Sequence, residues 1–100
     1  MFLHLGKDVV IPIKDIIAII DAKTAMESDD TLSFIKIAEE EGFIKVISEK
    51  GIKSYIITEK TQKDKTNGGE IRTSVIYGTN ISSSTLYKRT NFIDSMIKCQ

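Results

Sequence analysis

The chain has one cysteine, one proline, one histidine, no tryptophan and no net formal charge. The single cysteine, Cys99, excludes an intramolecular disulfide bond, which is typical of a cytoplasmic protein. The longest wholly apolar run, residues 16–20, is far shorter than the roughly 20 residues that cross a membrane. The first residues also lack the charged start and long apolar stretch of a signal peptide. We therefore predict a cytoplasmic protein without a membrane segment.

Motifs that support catalysis or bind cofactors are also lacking. His4 has no Cys or His partner at the spacing of metal ligands, so a packed or surface histidine is the favoured interpretation. The run Ser82-Ser83-Ser84 lacks the flanking glycines of a nucleophile elbow and is more typical of a helix N-cap. Gly68-Gly69 lacks the Gly-Lys-Ser/Thr of a phosphate-binding loop. We expect no enzyme activity, no cofactor and no metal.

The charged residues are distributed unevenly along the chain. Residues 27–41 contain six acids and one base, whereas residues 42–89 contain nine bases and four acids. This asymmetry predicts an acidic helix and a basic remainder that attracts phosphate although the total charge is zero. The alternative is that both groups of charges are simply solvated, and lysines at turns often serve solubility alone.

The hydrophobic pattern predicts an α+β fold in a single domain, with a small, mostly antiparallel sheet of five to six strands and two helices, one of them C-terminal. Phe2 and His4 are expected on one face of the first strand, with the intervening leucines on the other. Residues 16–20 are almost all β-branched, which favours a strand buried on both faces. The predicted strands are residues 2–5, 9–13, 16–20, 43–48, 52–59 and 71–77, and the predicted helices are residues 30–41 and a helix that begins near residues 82–84.

Three segments are predicted to connect these elements. Glu49-Lys50-Gly51 is expected to form a compact hairpin turn, because Gly51 can adopt a positive φ. Residues 60–70 are polar and contain two glycines, which predicts a mobile loop or the tip of a long hairpin. Residues 21–28 are expected to be a connection before the first helix, which Asp29 or Asp30 would cap and Gly42 would end.

The last helix has an apolar arc in its helical projection. Leu86, Ile93 and Ile97 lie on one side, and Lys88 lies on the opposite side. Arg89 falls inside the apolar arc. We therefore expect Lys88 to face solvent, and Arg89 to lay its stem on apolar surface while its guanidinium pairs with an acid or a carbonyl.

Four segments resemble a known family. They are Met1-Phe2-Leu3-His4-Leu5-Gly6, the stretch that begins Lys14-Asp15-Ile16-Ile17, Lys53-Ser54-Tyr55-Ile56-Ile57-Thr58, and the stretch from Ile76-Tyr77 through Leu86-Lys88-Arg89. Within the last of them, Ser82-Ser83-Ser84-Thr85-Leu86 is the most specific. Together they resemble the extracellular matrix regulator family of Gram-positive bacteria, the RemA/RemB type, and the RemB branch most of all.

The resemblance implies a small α+β protein that assembles into rings and regulates transcription of biofilm-matrix operons. It implies double-stranded DNA and further copies of the chain as partners, with basic hairpins against the DNA backbone. The residues expected to contact DNA are Lys14, Lys45, Lys50 and Lys53, and those expected to contact a neighbouring subunit or partner are Glu40, Lys88 and Arg89. Lysine lacks the bidentate fork of arginine, so phosphate contact and shape readout are expected rather than base readout.

Two alternatives remain open at this point. The chain could be an oligomeric adaptor that modulates another regulator, without contacting DNA, through Lys88, Arg89 and the acidic helix. It could also be a small-molecule sensor or an enzyme without a recognisable motif, for which a ligand-induced rise in melting temperature would be the evidence.

Overall fold

The computed structural model describes residues 1–48 and 50–98, with described side chains up to Thr90, and within them six strands and three α-helices form an α+β fold. The predicted fold class is confirmed, with one helix more than the sequence indicated and with the strands divided between two sheets. The elements in chain order are β1 (Phe2–Gly6), β2 (Val9–Pro12), a 3-10 turn (Ile13–Asp15), β3 (Ile16–Asp21), α1 (Ala22–Glu27), α2 (Asp29–Glu40), β4 (Ile44–Val46), β5 (Ser54–Lys63), β6 (Glu70–Thr79) and α3 (Ser83–Lys98).

The larger sheet has the strand order β3-β5-β6-β4, and β1 and β2 form a separate antiparallel hairpin. β5 pairs antiparallel with both β3 and β6. Because side chains alternate between the two faces of a strand, Ile56 and Tyr77 point to one face of the sheet, and Ile57 and Ile76 point to the other. We call the first face the hairpin side and the second the helix side.

The hairpin side holds the main core. The β1–β2 hairpin and the start of α3 pack there, and their buried apolar residues form one cluster with the sheet: Leu3, Leu5, Ile11, Ile47, Ile56 and Leu86. Burying a leucine or isoleucine side chain contributes roughly 1.5–3 kcal/mol. The alternation predicted for β1 is confirmed, since Phe2 and His4 are exposed while both leucines are buried.

The helix side is covered by α1 and α2. Ala25, Ile35 and Ala38 are the buried residues of these two helices. Ala25 and Ile35 line a small cavity with Tyr55 of β5. Burial raises the pKa of the Tyr55 phenol, and the nearby Glu39 carboxylate raises it further. The neutral phenol is therefore the favoured form in the folded protein.

The prediction that residues 49–51 form a hairpin turn between two neighbouring strands is wrong. β4 pairs with β6, in parallel, at the far edge of the sheet, and β5 lies on the other side of β6. The described residues of this connection, 47–48 and 50–53, therefore lie at the end of β6. There the Ile47 N–H donates to the Gly78 carbonyl oxygen (2.8 Å), and the Lys53 N–H donates to the Thr79 carbonyl oxygen (2.8 Å). The sequence pattern did not show this, because hydrophobic periodicity does not say which strand a segment pairs with. Glu49 lies outside the described residues.

The prediction that residues 16–20 are buried on both faces is also wrong. β3 is an edge strand, and its Ile17 side chain is exposed. The register shifts between Ile16 and Ala18, which interrupts the ladder on β5. The Tyr87 hydroxyl of α3 donates to the Ile19 carbonyl oxygen (2.8 Å), so α3 satisfies part of the free edge.

The predicted connection at residues 21–28 contains a helix. The Asp21 carboxylate caps α1 by accepting from the Thr24 N–H (3.1 Å). The cap of α2 is Ser28 rather than Asp29 or Asp30, since the Ser28 hydroxyl accepts from the Thr31 N–H (3.3 Å). Gly42, with φ of 78°, follows the end of α2 in the predicted left-handed conformation.

The ends of β5 and β6 extend as a two-stranded arm. The pairing continues to Lys63 opposite Glu70, and all residues from 60 to 63 and from 70 to 74 are exposed. The turn between the strands is closed by hydrogen bonds between Asp64 and Gly69 and between Gly68 and Asp64. Residues 60–63 and Glu70 are therefore strand and residues 64–69 are the turn, so that residues 60–70 form the outer part of a hairpin.

Two of the expectations for Arg89 and Lys88 of α3 can be compared with the structure. The Arg89 Nη1 donates to the His4 carbonyl oxygen (2.8 Å), which confirms the predicted pairing with a carbonyl. Lys88 is exposed, as predicted. The side chains of Ile93 and Ile97 lie outside the described residues, so the apolar arc remains a prediction there.

Thr79 joins the β1–β2 hairpin to the larger sheet, and its loss should destabilise the fold. Its buried hydroxyl donates to the Leu5 carbonyl oxygen (2.6 Å) and accepts from the Ile81 N–H (3.3 Å). We expect Thr79→Val to lower the free energy of unfolding by about 1–3 kcal/mol, because it keeps the shape but leaves these groups unpaired. Urea unfolding measures this change. The control is Thr73→Val on the exposed arm, for which the free energy of unfolding should change by no more than about 0.5 kcal/mol. Equal losses of unfolding free energy in both variants would contradict the expectation.

Candidate nucleic-acid interface

Three exposed lysines from two segments lie at the end of the larger sheet where β6 finishes. Lys7 is in the turn between β1 and β2, and Lys50 and Lys53 are in the connection that crosses the end of β6. The turn belongs to this end because the neighbouring Gly6 lies beside Ile47 and Thr79. We call Lys7, Lys50 and Lys53 the cationic end.

Lys7 and Lys50 line the same cavity, although they are far apart in the sequence. The cavity has a volume of about 310 Å³, and Ser48 and Asn80 also line it. Two ammonium groups, a hydroxyl and a carboxamide are all donors to the oxygens of an anion. The residue types that line this cavity are therefore ones that can donate hydrogen bonds to an anion.

The backbone around Lys7 is held in an uncommon conformation. Lys7 has φ of 50°, the one positive φ of a non-glycine residue within the described part of the chain. This conformation costs roughly 1–2 kcal/mol and is frequent at functional sites. The His4 Nε2 donates to the Lys7 carbonyl oxygen (2.7 Å) and so fixes the turn. The turn thus holds the lysine backbone beside residues 47–50.

Not all of the predicted DNA-contacting lysines come together. Lys50 and Lys53 do, whereas Lys45 is exposed on β4, on the hairpin side and two residues before Ile47. Lys14 lies at the opposite end, because β3 begins opposite Thr58 and runs roughly 16 Å to its end near Lys53. The structure therefore separates Lys14 from the cationic end.

Sequence reasoning missed Lys7. Gly6-Lys7-Asp8 lies between the two strands predicted at residues 2–5 and 9–13, but its position next to Ile47 and Lys50 depends on contacts between distant parts of the chain. The available signal was the basic residue in a tight turn. That signal is too common to identify a site.

The acids near the cationic end are few among the described residues. Asp8 follows Lys7 in the turn, and Asp21 caps α1. The one ion pair among the described side chains lies elsewhere, on the arm, between Arg72 and Glu59 (3.6 Å). Among the described side chains, which do not include Glu49, no carboxylate is paired with Lys7, Lys50 or Lys53.

The arm is a weaker candidate for the same role. Because side chains alternate along β5, Lys60 points to the hairpin side and Lys63 to the helix side. Arg72 is paired with Glu59. The positive charges of the arm are thus divided between two faces, whereas Lys7 and Lys50 of the cationic end line one cavity.

The start of α3 lies at the cationic end as well. Ser82 is the cap that the sequence favoured, since its hydroxyl accepts from the Thr85 N–H (3.3 Å). The Ser54 hydroxyl donates to the Ile81 carbonyl oxygen (2.8 Å) and so fixes the entry into the helix. These contacts give the serine run a structural role.

A second candidate surface is an apolar groove between α2 and the helix side of the sheet. Four large side chains on its walls, 47–60% exposed, are Ile17, Phe34, Ile37 and Phe43. Ile57 and Ile76 also line the groove, which encloses a cavity of about 420 Å³. We call this surface the apolar groove. An exposed apolar patch of this kind marks an interaction site in most soluble proteins.

The residues predicted to contact a partner are not brought together. Glu40 is exposed on α2, on the helix side, whereas α3 with Lys88 packs on the hairpin side. Arg89 is bonded to β1. These three residues therefore do not form one surface.

Metal and membrane features are lacking in the described part of the chain. Residues 1–48 and 50–98 contain no cluster of three or more His, Cys, Asp or Glu residues that could hold a metal ion. No helix among them combines the length and the apolar character needed to span a bilayer.

The family comparison agrees with the resemblance seen in the sequence. The model of the family described as RemA-like, extracellular matrix regulatory protein A-like, matches residues 2–64. This stretch runs from β1 to the end of β5 and contains the whole cationic end. No curated protein matches the chain. Because the family match covers more than half of the chain, the protein belongs to the RemA-like family of extracellular matrix regulatory proteins.

Proposed function

We propose that this regulator is a cytoplasmic DNA-binding protein that controls transcription of biofilm-matrix operons as a ring-like homo-oligomer, with the RemB branch as its nearest relatives. The observation that supports this most is the cationic end, where Lys7 and Lys50 line one cavity and Lys53 lies in the same connection as Lys50, within the region matched by the family. The family itself is a regulatory family and not an enzyme family.

The chemistry of the cationic end favours phosphate over base edges. Lysine presents a compact point charge, without the planar fork that reads a guanine bidentately. Phosphate contacts position a protein on a duplex and carry no direct sequence information. Sequence preference would then arise from the shape and deformability of the DNA.

Oligomerisation explains how a neutral chain can hold DNA. One copy of the cationic end offers three lysines, which is few for a stable complex. Several copies on one duplex act at a high effective concentration, so that weak contacts add up. The exposed apolar groove supports self-association, because a patch of this size on a monomer is costly to leave in water.

The experiment that tests the proposal is a salt series of DNA-binding measurements. Fluorescence anisotropy of a promoter fragment of about 40 base pairs, roughly four helical turns, is titrated with protein at several salt concentrations. We expect the logarithm of the binding constant to fall linearly with the logarithm of salt, by about 0.9 for each phosphate contacted. Folded protein that does not bind at low salt would contradict the proposal.

The adaptor is the second candidate, and the apolar groove beside the acidic end of α2 favours it. Glu41 lines the groove, so a protein partner would meet both apolar and negative groups there. A reporter fused to a matrix operon distinguishes the two functions in cells. A Lys7→Ala/Lys50→Ala/Lys53→Ala variant should lose reporter control if DNA is contacted directly. It should retain that control if the protein acts only through a partner.

A further inference from the structure

The β1–β2 hairpin presents a second apolar patch to solvent. Alternation turns Leu3, Leu5 and Ile11 toward the core, so the other side chains of the hairpin form its outer face. Phe2 is 68% exposed and Val10 is 51% exposed on this face. The register places Phe2 opposite Pro12, and Val10 opposite His4. We call Phe2, His4, Val10 and Pro12 the outer hairpin face.

The outer hairpin face and the apolar groove lie on opposite sides of the molecule. The hairpin packs on the side of the sheet that bears Ile56, and the groove opens on the side that bears Ile57. The first patch is a raised two-stranded surface, and the second is a cleft. Two such patches on one molecule cannot meet each other within that molecule, but they can meet between two copies.

The charges around the two patches are complementary. The stretch of α2 together with Glu41 contains five acids and one lysine. Glu39, Glu40 and Glu41 lie at the C-terminal end of the helix, where the helix dipole disfavours negative charge. A cation from another subunit would offset this unfavourable interaction between the three carboxylates and the helix dipole.

Cations flank the outer hairpin face. Lys14 follows Pro12 by two residues and is exposed, and the Arg89 guanidinium lies at the His4 carbonyl. Asp8 and Asp15 are the acids of the same region. With Lys7 and Arg89 included, this side has a small positive excess, whereas the groove side is strongly negative.

We infer that the outer hairpin face of one copy of this chain docks into the apolar groove of the next copy. The inference rests on the proposed homo-oligomer and names the surfaces that join it. Because the two surfaces differ, the contact is head-to-tail, and repetition produces a closed ring or an open filament rather than a two-fold dimer. The four exposed groove side chains offer on the order of 400 Å² of apolar area, half of what one partner buries in a typical stable interface. The charged residues around the two patches add further area to this contact.

Two variants at exposed positions test the contact without disturbing the core. Phe2→Asp places a charge on the outer hairpin face, and Ile37→Asp places one in the groove. Ile71→Asp, on the exposed arm and outside both patches, is the matched control. Circular dichroism checks that each variant is folded, and size-exclusion chromatography with light scattering gives the mass.

A head-to-tail contact predicts a specific result on mixing. Wild type and Ile71→Asp should form an oligomer larger than a dimer, while Phe2→Asp and Ile37→Asp alone should be monomeric. An equimolar mixture of Phe2→Asp and Ile37→Asp should form a heterodimer and stop there. The reason is that one intact outer hairpin face remains on one chain and one intact groove on the other.

Other outcomes overturn the inference. A folded Phe2→Asp variant that keeps the wild-type mass would show that the outer hairpin face does not join the copies. A mixture of the two variants that stays monomeric, or a wild type that is monomeric, would show that these surfaces do not join. A monomeric wild type would contradict both the contact and the homo-oligomer of the proposed function. An oligomer that binds DNA but keeps its mass in both variants would contradict the contact alone, whereas an oligomer that dissociates as expected but never binds DNA would contradict only the proposed DNA binding.

Discussion

Replacing Lys50 and Lys53 together by alanine is expected to weaken binding to a promoter fragment by about tenfold or more at about 0.1 M salt, where exposed charges act over roughly 10 Å. Each lysine removed from a subunit is removed from every subunit on the duplex, so small losses multiply. Adding Lys7→Ala should weaken binding further, because Lys7 and Lys50 face the same cavity. The slope of log affinity against log salt should also become shallower, since fewer phosphates are contacted.

The control for this prediction removes the same charge elsewhere. Lys60→Ala with Lys63→Ala takes two lysines from the arm, where they point to opposite faces. We expect it to change the affinity much less. Both double variants, Lys50→Ala/Lys53→Ala and Lys60→Ala/Lys63→Ala, should keep the wild-type oligomer mass. A Lys50→Ala/Lys53→Ala variant with unchanged affinity and unchanged mass would exclude the cationic end as the DNA contact.

Leu86→Ala is expected to have the largest effect on stability. Leu86 is completely buried in the main cluster, where the start of α3 meets β1 and β5. Truncating a buried leucine removes apolar contacts and leaves a cavity, at a cost of about 2–5 kcal/mol. Small domains have roughly 5–15 kcal/mol in total, so the variant should lose a large share of its stability. For a domain of this size, the melting temperature should fall by about 10 °C or more.

A valine on the surface provides the comparison. Val46 is an apolar residue of β4 that is exposed, so Val46→Ala should change the free energy of unfolding by less than about 0.5 kcal/mol. Chemical unfolding of both variants and the wild type, at one protein concentration, separates the core from the surface. If Leu86→Ala costs no more than Val46→Ala, the main cluster is not the part of the fold that holds α3.

The features that the sequence predicts well are local ones. The alternation of Phe2 and His4 with two buried leucines follows from strand geometry, and the left-handed Gly42 follows from the end of the helix. The partner of Arg89 could be predicted by class, a carbonyl or an acid, because a guanidinium on an apolar arc needs a nearby acceptor. Such signals depend on residues within a few positions of one another.

The features that the sequence did not predict depend on long-range pairing. Nothing in residues 43–53 says that β4 joins the far edge of the sheet, in parallel, beyond β6. The same is true of the cavity that unites Lys7 and Lys50, which arises only once the β1–β2 turn lies beside the 47–53 connection. β-branched residues favour strands but do not distinguish an edge from a centre, which explains the error at β3.

The contacts that hold the β1–β2 hairpin impose an order on synthesis. The hairpin is bonded to Thr79 and Arg89, which are 74 and 85 positions away from their partners in β1. Leu3, Leu5 and Ile11 are synthesised about 5 to 15 seconds before their partners in the last fifth of the chain, at ordinary translation rates. During that interval a short apolar hairpin has no sheet to cover it, and isolated two-stranded hairpins are marginal in water. The newborn chain therefore exposes the β1–β2 hairpin to chaperones and to aggregation until Thr79 and Arg89 have been made.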